Sequence, residues 1–446
     1  MQKIFNNAVI VGIGLMLLTA CTNTADNKTA DTNSESKIIT AMHLHQWNKE
    51  LEMGIVNDFF PPPVAGRIYT YPNIAAYEVL AQNQEAYSSL APRYEALTIP
   101  EIKNDNVNAE AASIFAFYYT GIELIYSIET MTEAKDKFKM ELAENLDQET
   151  IEATENYGKS VAESILAWAK TDGYNKMRSY PKYELLKTEG SWLPTPPDYT
   201  DALEPHWMKL IPLTLDSASQ FRPERPTAYD MDTSSLFYKE TMEVYQAVID
   251  SNAERVAIAK FWDCNPLVTK HKGHVIFSEK KLTPGGHWVN IGRIAMKAKE
   301  YNLIKTAHTY VMLTISIHEA FISCWDEKYF SNYIRPVTVI QEHIDSDWLP
   351  ILYTPNFPEY PSGHSVVSGS AATILTDIFG ENFAFTDSTE VPYGMSPRSF
   401  NSFFEASDEA AISRMYGGIH FTLAIEVGKS QGRKVGSHVL ETLKLN

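Results

Sequence analysis

The chain has 446 residues, a formal net charge of −18, and 44% hydrophobic and 12% aromatic residues. This composition supports a large buried core, formed by one large domain or by two fused bundles. An acidic chain without a run of lysine or arginine is a poor candidate for binding nucleic acid.

Residues 1–20 are typical of a signal peptide. Lys3 gives a basic start, and the apolar run Ala8–Leu18 is too short to span a bilayer. The ending Leu18-Thr-Ala-Cys21 resembles the lipobox of bacterial lipoproteins, in which the cysteine is lipidated and becomes the mature N-terminus. A plain signal peptide cleaved near Ala20 is the alternative. We expect a cell-envelope lipoprotein, periplasmic or anchored to the outer membrane, that meets the membrane through its N-terminal lipid.

Residues 21–40 predict a lipidated N-terminus followed by a disordered tether, because residues 22–37 contain no aromatic or large aliphatic side chain. Residues 41–446 are expected to form the folded domain. They contain two cysteines, Cys264 and Cys324, which either form a disulfide or both stay buried and reduced. No spacing of cysteine and histidine along the chain is typical of a zinc site.

Apolar residues recur at helical spacing along most of the chain, and no stretch alternates as a strand does. Helices are predicted at 73–82, 109–126, 150–171, 235–250, 254–262, 288–301 and 304–333. The proline-rich residues 172–230 predict a long irregular segment that either covers a site or wraps the surface. The predicted fold class is therefore all-α, with one large helical domain.

Three short motifs near the C-terminus carry the chemistry. They are Lys328-Tyr-Phe-Ser-Asn-Tyr-Ile-Arg335-Pro336, Pro361-Ser362-Gly363-His364 and Ser413-Arg414-Met-Tyr-Gly-Gly-Ile-His420. Lysine and arginine balance the charge of an oxyanion, and the planar fork of arginine matches pairs of oxygens. A Ser-Gly turn that starts a helix aims a hydroxyl and amides at further oxygens, and histidine acts as nucleophile, ligand or proton carrier. Together the motifs predict a buried site for a tetrahedral oxyanion.

These motifs resemble the pattern K-x6-R-P, P-S-G-H, S-R-x5-H of the superfamily that joins vanadium-dependent haloperoxidases to type-2 phosphatidic acid phosphatases. The resemblance implies two packed helical bundles and a vanadate cofactor. It also implies that His420 bonds the metal and that His364, with Lys328, is catalytic. The vanadate oxygens would be held by Lys328, Arg335, Ser362, Gly363 and Arg414.

The same residues are compatible with two chemistries. A haloperoxidase would use vanadate and hydrogen peroxide to oxidise halide, whereas a soluble acid phosphatase would use His420 as nucleophile and His364 as the acid for the leaving alcohol. A surface lipoprotein that only binds oxyanions is the third hypothesis. The phosphatase pattern places an aspartate four residues after the nucleophilic histidine, but this chain has Ala424. That difference favours the haloperoxidase.

Trp325 and Phe357 resemble the aromatic residues of a haloperoxidase halide pocket, and Phe357 resembles the chloride-oxidising type. Acidic and polar residues nearby, namely Asp326, Glu327, Asn356 and Glu359, are expected to make the pocket wetter and less electrophilic. Iodide is the most easily oxidised halide, and bacterial members of the family include enzymes specific for iodide. We therefore predict iodide as the preferred substrate. The sequence also predicts that a helix begins near His364 and that His420 lies in the first turn of the last helix.

Overall fold

Helices make up almost all of the regular structure in the computed structural model, which describes residues 39–82, 84–266, 268–272, 274–278 and 280–445. The predicted signal peptide and lipidated Cys21, and nearly all of the predicted tether, lie outside these residues. The helices are α1 (Ala41–Asn57), α2 (Pro62–Ala81), α3 (Ala109–Ile122), α4 (Glu129–Leu142), α5 (Gln148–Ala169), α6 (Tyr174–Met177), α7 (Leu236–Ile249), α8 (Ala253–Phe261), α9 (Pro284–Ala298), α10 (Leu303–Ser331), α11 (Pro336–His343), α12 (Gly363–Phe379), α13 (Phe403–Tyr416) and α14 (Thr422–Leu443).

The helices pack as two bundles that share α10. On one side α10 packs against α2, which also contacts α3, α5 and α1. On the other side α10 packs against α12 and α14, and α13 completes that bundle. Every side of α10 is therefore covered, and nearly all of its residues from Leu303 to Lys328 are buried. The prediction of an all-α fold with two packed bundles is confirmed.

Two short antiparallel ribbons were not predicted. β1 (Thr269–Lys272) pairs with β2 (Val275–Ser278), and β3 (Phe385–Asp387) pairs with β4 (Arg398–Phe400). Strands of three or four residues are too short for an alternating pattern to be visible in the sequence. The predicted start of a helix at residue 73 was also wrong, because α2 begins at Pro62 and continues through Pro72.

The α12–α14 interface depends on small residues. A Cβ atom on Gly432 would overlap the carbonyl oxygen of Val366, and one on Gly428 would lie 3.0 Å from the carbonyl oxygen of Ser362. The two backbones therefore touch where the Ser362 motif starts α12. The small residues that follow His364 allow this close packing.

The long segment 172–230 is fixed by one buried carboxylate on α10. Glu319 accepts hydrogen bonds from the backbone amides of Leu213, Thr214 and Leu215 at 2.8–3.0 Å, and from the Thr214 hydroxyl at 2.8 Å. Earlier in the segment, the carbonyl oxygen of Leu203 accepts hydrogen bonds from Trp325 and Tyr329 of α10. The segment therefore packs on α10 and does more than wrap the surface.

The structure decides between the two states considered for the cysteines. Cys264 and Cys324 are both buried and free, so the reduced alternative applies to this pair. Among the described helices, none has both the length and the apolar character needed to cross a bilayer.

We predict that Gly432→Ala destabilises the protein by roughly 1–3 kcal/mol, because the added methyl group forces the α12 and α14 backbones apart. Urea denaturation followed by circular dichroism measures the change. Ser430→Ala, at an exposed position of the same helix, is the control and should leave the midpoint nearly unchanged. Equal midpoints for Gly432→Ala and the wild type would contradict the backbone contact.

Candidate active site

The three motifs meet in one buried site built from the ends of helices. Lys328 lies in the last turn of α10, Arg335 directly precedes α11, and Ser362 caps the N-terminus of α12. Arg414 lies in the last turn of α13. All four side chains are at most 1% exposed.

His420 reaches the same site from a loop, which corrects its predicted place in the last helix. It lies two residues before α14 begins at Thr422. Gly418, at φ +78, adopts the left-handed conformation that favours glycine and turns the chain after α13. This turn delays the helix and presents the imidazole of His420, at 2% exposure, to the cavity.

Arg335 is bound through two of its nitrogens and leaves the third free. Its Nε donates to the carbonyl oxygen of Phe357 at 3.0 Å, and its Nη1 donates to the carbonyl oxygen of Ile419 at 2.8 Å. Nη1 also lies 3.2 Å from Nε2 of His420. The remaining nitrogen, Nη2, is buried and has no partner. Burial lowers the pKa of Arg335 to about 9, so the guanidinium remains charged at neutral pH.

Arg414 is held in a similar way on the other side of the cavity. Its Nη1 donates to the carbonyl oxygen of Trp262 at 2.7 Å, and its Nε is buried without a partner. His364 forms a hydrogen bond with the same backbone position, and its Nε2 also has no partner. Burial, followed by the nearby Arg414, lowers the pKa of His364 well below its usual range.

Lys328 differs from the arginines because its ammonium group is fully hydrogen-bonded. Its Nζ donates to the carbonyl oxygens of Pro358, Glu359 and Pro361 at 2.9, 3.0 and 2.5 Å. An ammonium has three hydrogens, so Lys328 offers the site its charge but no spare donor. Burial lowers the pKa of Lys328 to about 7.

The N-terminus of α12 completes the site. Gly363 is the first residue of the helix and lines the cavity together with His364. A Cβ atom on Gly363 would lie 3.7 Å from Cζ3 of Trp325 and 3.8 Å from Cε of Lys328. The free amides and the partial positive charge of a helix N-terminus favour an anion at this place.

The role of Glu359 as the partner of His420 was not predicted from the sequence. Its Oε1 lies 2.7 Å from Nδ1 of His420 and accepts a hydrogen bond from the amide of Phe421 at 2.9 Å. A carboxylate on Nδ1 places the proton there and leaves Nε2 as an acceptor or ligand. Burial raises the pKa of Glu359 to about 7, while Arg335 and Lys328 oppose the rise.

In the phosphatase pattern, the carboxylate that supports the histidine lies four residues after it, where this chain has Ala424. The structure places the carboxylate 61 residues earlier, three residues before Ser362. The only sequence signal is an acidic residue inside the second motif region, Glu359-Tyr-Pro-Ser362. Glu359 was expected to make the pocket wetter or less electrophilic, and the expectation of wetting was wrong because its side chain is fully buried against His420.

Apolar side chains form the walls of the cavity. The rings of Trp325 and Phe357 lie 5.0 Å apart, and the carbonyl oxygen of Leu203 accepts a hydrogen bond from Nε1 of Trp325 at 3.3 Å. Leu203 therefore brings the segment 172–230 to the cavity, which favours the covering role over mere wrapping. The lining includes Pro62, Leu203, Pro284, Phe321, Trp325, Pro355, Asn356, Phe357 and Ile419.

Two of the acidic residues expected at the pocket point elsewhere. Asp326 forms an ion pair with Arg222 at 2.7 Å, and Glu327 lies 3.3 Å from Nη1 of Arg225. Both arginines belong to the segment 172–230, so these carboxylates hold that segment and do not line the cavity. Asn356 does line it, as expected.

The geometry fits a tetrahedral oxyanion such as vanadate. Three buried cations surround the cavity, and Nη2 of Arg335, Nε of Arg414 and Nε2 of His364 are buried polar atoms without partners. Buried polar atoms are nearly always satisfied in native proteins, so two spare donors and one spare imidazole nitrogen in one site indicate a missing polar ligand. His420 offers a nitrogen for a metal, and the residues predicted to hold the oxygens lie around it.

Comparisons with known proteins agree with this chemistry. A family model described as the VCPO second helical-bundle domain matches residues 308–445. The crystal structure of the first bacterial vanadium-dependent iodoperoxidase is 46% identical, with a TM-score of 0.86 over 91% of this chain and 97% of that one. Holo-type and apo-type bacterial vanadium-dependent chloroperoxidases are each 18% identical, with TM-scores of 0.66 and 0.65. They cover 86% of this chain, and 92% and 95% of their own, and show likeness of fold alone. No curated protein matches.

We predict that Glu359→Gln weakens vanadate binding by about 10- to 100-fold, because groups that hydrogen-bond a metal ligand contribute at this level. Quenching of tryptophan fluorescence during a vanadate titration of the purified protein measures the affinity. Glu327→Gln is the matched control, because it neutralises a buried carboxylate that faces away from the cavity. Wild-type affinity in Glu359→Gln would show that the carboxylate does not support His420.

Proposed function

The chain belongs to the vanadium-dependent haloperoxidases, and from that membership we propose that its substrate is iodide, oxidised by hydrogen peroxide at the site around His420. Family membership rests on the 46% identity across 91% of the chain. The cofactor is vanadate. Oxidation of halide by peroxide is the reaction of the family, so the proposal concerns the choice of halide.

The observation that carries the proposal is the 2.7 Å contact between Nδ1 of His420 and Oε1 of Glu359. A carboxylate on the far nitrogen makes the near nitrogen a more basic ligand. A more basic ligand donates more electron density to the metal and makes it a weaker oxidant. Iodide is the halide that demands least of the oxidant, so the pairing favours iodide over bromide and chloride.

Lys328 supports the same conclusion. Its three hydrogens are held by backbone carbonyl oxygens, so the cation cannot donate to a vanadate oxygen unless one of these bonds breaks. Polarisation of the oxygens therefore depends mainly on the two arginines. The 46% identical relative is itself an iodoperoxidase, which is consistent with this assignment.

The protein contributes charge, orientation and proton transfer. Bound vanadate supplies a Lewis acid that activates peroxide toward attack by halide. Arg335 and Arg414 would hold the anion through their free nitrogens, and Glu359 holds the proton of His420 on Nδ1. His364 is neutral at pH 7, so its Nε2 can accept a proton from an incoming peroxide. Trp325 and Phe357 limit the access of water.

The structure removes the sequence-based evidence against the phosphatase alternative. The missing carboxylate at position 424 was taken as evidence against it, but Glu359 supplies a carboxylate to the same histidine. A histidine held in this way is also competent as a nucleophile. Family membership supports the peroxidase, and the assay below distinguishes the two activities.

We predict that the vanadate-loaded enzyme oxidises iodide at least ~10-fold faster than bromide and does not oxidise chloride, a ratio that corresponds to about 1.4 kcal/mol in activation free energy. Steady-state rates with each halide at the same peroxide concentration measure the order. Nitrophenyl phosphate is the parallel substrate for phosphatase activity.

Two controls accompany this assay. His420→Ala should reduce the iodide rate to near background while its circular dichroism spectrum stays that of the wild type, because the ligand is lost and the rest of the site remains. A chloride rate comparable with the iodide rate would overturn the choice of halide. Hydrolysis of nitrophenyl phosphate without any halide oxidation would favour the phosphatase.

We also propose that the protein is a lipoprotein of the cell envelope, on the basis of Lys3, the apolar run Ala8–Leu18 and Cys21. Mass spectrometry of the N-terminal peptide from the protein expressed with its leader should show a diacylglyceryl group on Cys21. The variant Cys21→Ala should be released from the membrane fraction. An unmodified N-terminus at Cys21 or a neighbouring residue would contradict lipidation.

A further inference from the structure

A second cluster of potential metal ligands lies beside the vanadate site. Cys264 follows α8, His287 lies in the first turn of α9, and Asp387 ends β3, with Glu390 shortly after it. All four side chains are buried, and Glu390 is the most exposed at 7%. Cys264 also lines the wall of the anion cavity, but none of the four side chains is needed to hold the anion.

Three of these side chains converge on one point. Sγ of Cys264 lies 3.2 Å from Nδ1 of His287, which lies 3.2 Å from Oε1 of Glu390, and Sγ lies 3.9 Å from that same oxygen. In a tetrahedral zinc site, typical bond lengths separate such ligands by roughly 3.4–3.6 Å. The three atoms therefore form one face of a tetrahedron of the right size, within about 0.4 Å on each edge.

The fourth side chain occupies the position of a supporting carboxylate. Oδ2 of Asp387 lies 2.7 Å from Nε2 of His287, the ring nitrogen that faces away from the other ligands. Histidines that bind zinc almost always donate their other N–H to a carboxylate or a carbonyl oxygen. The contact places the proton on Nε2 and leaves Nδ1 free to bind a metal.

We propose that Cys264, His287 and Glu390 bind one zinc ion, with Asp387 orienting His287 and with a water molecule in the fourth position. Sulfur, imidazole and carboxylate are the ligand types that zinc takes in proteins. Without a metal, Sγ of Cys264 and Nδ1 of His287 must each carry a proton, because without these protons both atoms would repel the carboxylate of Glu390. A divalent ion replaces both protons and leaves the net charge of the buried cluster unchanged.

The site would also support the vanadate pocket. The carbonyl oxygen of Trp262 accepts the hydrogen bond from Arg414, and the same backbone position contacts His364. Its indole ring stacks on His287 at 4.5 Å with an interplanar angle of 21°. Zinc would hold Trp262 in two ways, through Cys264 two residues later in the chain and through the ring of His287 that stacks on the indole. The ion is therefore expected to have a positioning role toward Arg414 and His364.

Metal content gives the first test. Purified full-length protein is analysed by elemental mass spectrometry after growth with added zinc, and the expected result is close to one zinc per chain. The zinc is then removed with a chelator and replaced by cobalt(II). A tetrahedral cobalt–thiolate site shows visible d–d bands and a sulfur-to-cobalt charge-transfer band in the near ultraviolet, whereas a nonspecific site without sulfur does not.

Three variants assign the ligands. Cys264→Ser should remove the charge-transfer band. Glu390→Gln, which keeps the size of a buried ligand side chain, should weaken zinc binding by at least ~10-fold in competition with a chromophoric chelator. Cys324→Ser is the matched control, because it changes the other buried free cysteine and should keep both the band and the stoichiometry.

A second readout separates metal binding from a purely structural defect. Removal of zinc from the wild type should weaken vanadate binding, and the return of zinc should restore it; in Glu390→Gln the same treatment should have little effect. Folded wild-type protein that binds no zinc at micromolar concentrations would overturn the proposal and leave a hydrogen-bonded cluster only. An unchanged cobalt spectrum in Cys264→Ser would overturn it as well.

Discussion

The burial of three cations around one cavity is the constraint on which the rest of the structure depends. Lys328, Arg335 and Arg414 are at most 1% exposed, and Glu359 is the carboxylate placed against the first two. An unpaired buried charge is costly, and removal of one partner of a buried pair typically costs about 3–5 kcal/mol. The backbone meets part of this cost, because the cations donate hydrogen bonds to the carbonyl oxygens of residues 357–359, Pro361, Ile419 and Trp262. A bound anion with four oxygens would compensate the rest of the buried positive charge.

Glu359 links charge compensation to reactivity. It lowers the cost of burying Lys328 and Arg335, and through His420 it donates electron density to the ligand of the metal. The two effects are inseparable because one carboxylate performs both. In the iodide proposal, the contact that compensates the buried cations also lowers the oxidising strength of the bound metal.

The parts of the site that lie in short motifs could be predicted from the sequence, and the parts that depend on tertiary contact could not. Lys328, Arg335 and Ser362 belong to short motifs, and the three motifs together, with their resemblance to the family pattern, were informative. Glu359 lies in a loop with no periodicity, and nothing local indicated that it turns inward to His420. Cys264 and His287 are 23 residues apart, and Glu390 is farther away, so no zinc-type spacing existed to be found. The glycines at 417 and 418 were visible, yet they were not expected to delay α14 past His420.

The attachment of the segment 172–230 to α10 has a consequence for how ligands arrive. Glu319 satisfies four donors of the segment, and Leu203 is hydrogen-bonded to α10, all through contacts within the protein. The conformational entropy of this long irregular stretch is therefore lost during folding and not when the anion or peroxide binds. The part of the cavity wall that this segment supplies is therefore in place before a ligand binds, and this segment does not need to become ordered on binding.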